Sequence, residues 1–188
     1  LAWEFNAWTR DDFLQSAYNH WKKNNPEKIF YLNLPVLHSA RGYVNLENAL
    51  KYNDIIGTEG GFMFYKPAKE SFLFRTSLTA KLLESYAKDK PRVIFMAADH
   101  KPWNWFMHTP AETELCIAAS IANASNIWYG LHGSTELLKT EASSSAKKLL
   151  QFAKENELYY YKTEPDSKVG LFFGFVNSRI SNDAKDES

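Results

Sequence analysis

Cysteine is almost absent: Cys116 is the only one in 188 residues. No disulfide can form within the chain, and a cysteine-based zinc site is excluded. A single thiol fits the cytoplasm without excluding secretion. An excess of one charge sign is also lacking. The 22 Lys and Arg balance the 22 Asp and Glu, for a formal net charge of zero. Nucleic acid and membrane surfaces select a basic face, so neither is an expected partner. No run of about 18 apolar residues occurs, so no segment is read as crossing a membrane. Residues 1–6 lack the basic start and long apolar core of a secretory leader. Glycine is scarce, at 8 residues. Neither GxGxxG nor GxxxxGKS/T follows any apolar run, which weighs against a nucleotide-binding sheet. No cofactor is expected.

Aromatic residues are abundant. Six Trp, ten Tyr and thirteen Phe make up 15% of the chain. Core packing accounts for most of them. Several nevertheless stand beside polar residues at expected strand ends, where a ring face can stack on the C–H edges of a sugar. Hydrophobic residues at 45% and charged residues at 23% supply a core and a solvated surface.

Four short apolar runs with β-branched or aromatic content read as strands: residues 28–34, 54–58, 92–98 and 126–131. Their continuous apolarity predicts a parallel sheet covered on both faces. Helical spacing predicts helices at 11–23, 45–52, 76–88, 110–123 and 141–155. The fourth of these has the clearest start, with Thr109 as N-cap, Pro110 at the first position and Glu112 closing a capping box. A fifth strand is predicted over 168–176, before a polar tail from residue 181. Alternating strands and helices indicate an α/β fold, as a barrel or as a doubly wound sheet.

Parallel α/β folds bind ligands at the carboxyl ends of their strands. His38 follows the first strand. Glu59 closes the second, before Gly60-Gly61. Asp99 and His100 close the third, followed by Trp103, Asn104 and Trp105. His132 closes the fourth, which contains Tyr129. Carboxylates, histidines and tryptophans on one rim suit glycosidic bond cleavage, in which one carboxyl group protonates the leaving oxygen and another acts as nucleophile or base. Each has a plainer alternative. Glu59 can cap a turn, Asp99-His100 can form a local ion pair or a helix-entry cap, His132 can be a satisfied core histidine, and Glu4 beside Trp3 can be another strand end or just a cut edge. A metal reading of His38, Glu59, Asp99, His100 and His132 has no HExxH or similar spacing behind it, so no metal is expected.

Residues 91–131, PRVIFMAADHKPWNWFMHTPAETELCIAASIANASNIWYGL, resemble the last two strand–helix units of the barrel in β-galactosidases of glycoside hydrolase family 42 and related glycosidase-like proteins. The shared outline is a strand, an Asn-Trp loop, a Pro-led helix rich in small residues, and a closing strand. Residues 53–61, NDIIGTEGG, are similar to the preceding unit. The resemblance implies a partial TIM-type (β/α) barrel, strands five to eight, over residues 1–158. It implies the start of a flavodoxin-like second domain over 159–188. The family's seventh strand ends in a glutamate nucleophile where this chain has Ala97-Ala98-Asp99. Its acid/base glutamate follows the fourth strand, where the nearest residue here is Glu4. Those roles therefore do not transfer. The expectation is a glycoside hydrolase with Glu59 and Asp99 as catalytic carboxylates. Glu4, His100, Trp103, Trp105, Tyr129 and His132 are expected to bind the saccharide. The alternatives are a non-catalytic saccharide-binding or structural module and a doubly wound domain with a ligand at its switch point. A partial barrel leaves open strand edges, so a homo-oligomer covering them is expected.

Overall fold

A computed structural model describes residues 2–34, 46–60, 73–87, 89–100, 106–161 and 163–172. The order is α1 (Ala2–Asn24), β1 (Tyr31–Leu34), α2 (Leu46–Lys51), β2 (Ile55–Glu59), α3 (Arg75–Ala87), β3 (Arg92–Ala97), α4 (Pro110–Ala122), β4 (Asn126–Gly130), a 3₁₀ turn (Thr135–Lys139), α5 (Glu141–Glu155) and α6 (Glu157–Tyr160). The caps fall where side-chain chemistry demands them. The Thr109 hydroxyl accepts from the Glu112 N–H while the Glu112 carboxylate accepts from the Thr109 N–H, closing the box on α4. The Thr140 hydroxyl accepts from the Ser143 N–H and starts α5.

The four strands form one sheet, all parallel, in the order β1-β2-β3-β4. A doubly wound sheet reverses its strand order at the ligand crevice. No reversal occurs among the described strands, so the switch-point alternative has no crevice here.

Strand parity sorts the side chains onto two unlike faces. One face carries Leu34, Ile56, Ile94 and Met96. There Leu34, Ile56 and Ile94 pack with Leu14 of α1, Ala49 of α2 and Leu83 of α3. Met96 packs with Cys116 and Ile117 of α4 and Ala146 of α5. The other face carries Tyr31, Gly57, Glu59, Phe95 and Trp128. Trp128 is 46% exposed in the middle of β4, so this face is open. The expectation of a sheet covered on both faces is corrected: among the described residues, helices bury one face only. Apolarity misled because the open face is itself aromatic.

Polar ties fix the amino-terminal end of the layers. The Asp54 carboxylate accepts from the Phe30 N–H and the Tyr18 hydroxyl and lies 2.7 Å from Lys22 Nζ. Burial alone would raise this carboxyl, but the bonds from Lys22, Phe30 and Tyr18 outweigh it and hold the pKa below the usual range. Arg92 pairs with Glu84 at 3.2 Å and donates to the Ala124 carbonyl. Ala124 has a positive φ of 51°, and this bond satisfies its carbonyl where the chain turns into β4.

Two further expectations are corrected. The first helix starts at Ala2, well before residue 11, so Glu4 lies in its exposed first turn and ends no strand. Residues 168–172 are exposed and form no strand. The rest of that expected strand, 173–176, lies outside the described residues, as does the polar tail. Residues 143–145 belong to α5, as their helical spacing indicated.

Candidate functional site

Glu59 is the last residue of β2 and pairs in register with Phe95. Its side chain therefore shares the open face with Phe95. Below it Tyr31 leans over Gly57, where a Cβ would stand 2.5 Å from the Tyr31 hydroxyl. Phe95 leans over Gly130 in the same way, 2.5 Å from a would-be Cβ. Trp128 packs on Phe95 with ring centroids 4.8 Å apart and meets Tyr31 at 6.0 Å. Rings from the two outer strands thus meet over the two central ones, and the glycines make room. Burial pushes the Tyr31 hydroxyl above its ordinary pKa, so it stays a neutral hydroxyl.

Gly60, directly after Glu59, is held from both sides. Its N–H donates to the Phe95 carbonyl at 3.2 Å, and its carbonyl accepts from the buried Thr76 hydroxyl. A Cβ there would stand 2.6 Å from Thr79 Cγ2 and 2.8 Å from Thr79 Cβ. Thr79 Cβ is bonded to the α3 backbone, so the helix itself would have to move. Gly60→Ala is expected to cost about 1–3 kcal/mol, read as a lowered urea midpoint. A midpoint equal to the parent's would mean that α3 yields freely and that Glu59 is not rigidly seated.

Past β3 the chain makes a bend. Ala98 N–H donates to the Gly130 carbonyl, His108 N–H donates to the Ala98 carbonyl, and Asp99 bridges Met107. This anchoring buries Asp99 to 6% exposure. One of its oxygens lies 2.7 Å from Nδ1 of His132, whose side chain is 34% exposed. The His132 ring also stands edge-on to Phe95, at 6.3 Å. His132 therefore joins the aromatic face to the buried carboxylate.

A second cluster adjoins α4. His100 Nε2 lies 3.3 Å from a Glu112 oxygen, and the His100 ring stands T-shaped to His108 at 4.7 Å. Burial alone would raise the Glu112 carboxyl. Bonds from the Thr109 N–H and hydroxyl, with His100 and His108 nearby, outweigh that and lower it. His108 is buried, and its pKa falls to about 4 through desolvation and the neighbouring His100, against the pull of Glu112 and Asp99.

The expected site residues are thus divided. Asp99 and His132 are in direct contact, and Glu59 shares the open face with the aromatic rings. Asp99 lies two residues past the end of β3, the strand that carries Phe95, the register partner of Glu59. The Asp99 carboxylate is held by His132, and Glu59 shares the face of Phe95. Tyr129 points to the helix face, among Met96, Cys116 and Ile117. Burial raises its hydroxyl, and the Ser143 and Thr113 hydroxyls partly offset this. Glu4 is ten positions, about 15 Å, from the buried Leu14 on the same helix. Trp103, Trp105 and His38 lie outside the described residues.

No group of three His, Cys, Asp or Glu side chains arranged to hold a metal occurs among the described residues. Tyr31, Phe95 and Trp128 were missed in the sequence. Each is the one large ring that its strand turns to this face, with Gly57 or Gly130 making room on a neighbouring strand, and that is legible only once the register is known. No family model, curated protein or solved structure matches the chain.

Proposed function

We propose that the open face and carboxyl rim of this sheet bind a saccharide, and that the chain acts as a glycoside hydrolase with Glu59 as general acid/base. One observation carries this reading: Glu59 ends β2 on the same face as Tyr31, Phe95 and Trp128. Stacked rings offer an apolar platform to the C–H face of a sugar, and a carboxyl group beside it can reach a glycosidic oxygen. His132, held by Asp99, supplies a polar contact at the edge of the platform. The sequential parallel order, with helices on one face, is the arrangement of consecutive barrel strands. It supports reading the sheet as part of a (β/α) barrel; in a closed barrel the rings would fill the packed interior, and the saccharide would meet the carboxyl rim at Glu59 and His132.

A non-catalytic saccharide-binding module is the second reading. A specific observation favours it: among the described strand residues of the open face, Glu59 is the one carboxylate. The two readings separate on a panel of aryl α- and β-glycosides of galactose, glucose and fucose. Cleavage of any of them supports the enzyme. No cleavage, with quenching of tryptophan fluorescence by a saccharide, supports the binding module. The absence of both responses removes both readings.

No further strand pairs with β1 or β4 among the described residues, and open parallel edges recruit partners. We expect concentration-dependent self-association in sedimentation velocity. A monomer at every concentration would remove the proposal that copies of this chain cover those edges.

A further inference from the structure

We infer that the outer groove between α4 and α5 is a two-fold interface with a second copy of this chain, in which α4 of each copy lies over α5 of the other. The inference does not rest on the saccharide reading. It uses a surface distinct from the open sheet face and from the edges of β1 and β4.

The two helices run side by side in one direction. Near their starts, the Thr113 and Ser143 hydroxyls both stand close to the Tyr129 hydroxyl. Near their ends, Ile121 and Ala153 line one pocket beside the first residues of β3 and β4. Between them Cys116 and Ile117 of α4 pack with Ala146 of α5. Helical spacing turns other residues outward. Glu114, Leu115 and Ala118 form one wall of an outer groove, and Lys148, Leu149 and Phe152 form the other. Leu115 and Phe152 are 40% and 47% exposed, so the groove is apolar between its two charges. Exposed apolar surface rimmed by polar groups is the usual mark of an interaction site.

The walls are unlike, and that selects the occupant. One wall carries the carboxylate and the small Ala118. The other carries the ammonium group and the large Phe152 ring. Glu114 and Lys148 take part in no ion pair among the described residues. A rotation by half a turn about an axis along the groove exchanges the walls, so each α4 wall meets the α5 wall of the other copy. Each Glu114 then faces the other copy's Lys148, to within about one turn of helix. Each Phe152 ring comes against the wall made shallow by Ala118. Both contacts occur twice. A membrane surface or a highly charged partner selects a single sign, and this groove offers one charge of each.

The experiment is sedimentation velocity on the whole chain over a concentration series, for the parent, Glu114→Lys, Lys148→Glu and the double swap. Both side chains are exposed, and urea midpoints check that every variant folds. The parent is expected to associate. Either single reversal sets like charges against each other twice per dimer and is expected to weaken association about tenfold or more. The double swap restores opposite signs and is expected to return to within about threefold of the parent. Leu115→Asp is expected to leave a folded monomer, because it puts a charge into the apolar part of the groove.

A parent that is monomeric at every concentration would overturn the inference. So would association that both single reversals leave unchanged, since pairing along strand edges runs through backbone bonds and is indifferent to these side chains. Weakening that the double swap does not reverse would mean that the two charges do not meet across copies, and the interface would fall. The glycoside panel decides the saccharide reading separately, and neither result depends on the other.

Discussion

Glu59→Gln is expected to lower the turnover of any cleaved glycoside by about 10²–10⁴-fold, the usual worth of general acid–base catalysis, with little change in KM. The amide keeps the shape and hydrogen-bonding capacity of the carboxyl group but cannot carry its proton. Gly60 anchors the strand end through Phe95 and Thr76, so the substitution leaves the backbone in place. Trp128→Ala provides the contrast. It removes the half-exposed ring of the platform and is expected mainly to raise KM, because stacking serves ground state and transition state alike. A Glu59→Gln chain with unchanged turnover would take Glu59 out of the chemistry. An equal fall in kcat for both variants would mean that the platform, too, acts in the transition state.

Stability is expected to fall as the pH drops from about 6.5 to about 4, with His108 as the cause. His108 is buried and neutral in the folded chain, its pKa lowered to about 4. In the unfolded chain its imidazole has the ordinary value near 6.5. Below that pH the unfolded chain takes up a proton that the folded chain refuses until about pH 4. Each step down in pH across the window therefore favours unfolding, and the contribution levels off below it. The difference amounts to about 3 kcal/mol in full. Glu112 and Asp54 have lowered pKa values and act with the same sign, but only below their unfolded values of 4.5 and 3.8. In the range from pH 6.5 to 4.5 His108 therefore acts without those two carboxylates. Urea midpoints at pH 7 and pH 4.5 test this. The parent's midpoint is expected to fall markedly more than that of His108→Gln. Equal falls would assign the effect to other groups.

The acid sensitivity and the proposed rim come from one local arrangement. The bend after β3 is closed by the Asp99–Met107 bridge and the bond from the His108 N–H to the Ala98 carbonyl. That bend buries both Asp99 and His108 beside α4. One buried group holds a histidine on the rim. The other makes the same region sensitive to acid. Activity and stability measurements below pH 6 therefore need to be made on the same samples, since loss of the fold would imitate loss of a catalytic proton.

Local chemistry was legible in the chain itself. The Thr109–Pro110–Glu112 box set the start of α4, because a cap depends on neighbours three residues apart. The four apolar runs became β1 to β4 in parallel, because each is bounded by its own turn residues and separated from the next by a helix. The rim residues Glu59, Asp99 and His132 were legible for the same reason: they follow directly on those runs. Where each side chain points was decided only by the tertiary structure. Register sets parity, and parity sent Tyr129 to the helices and Trp128 to the open face. Burial then separated two carboxylates that look alike in sequence. Glu59 is partly exposed on the open face, while Asp99 is enclosed against His132. Such roles depend on contacts between residues far apart in the chain, and no local pattern encodes them.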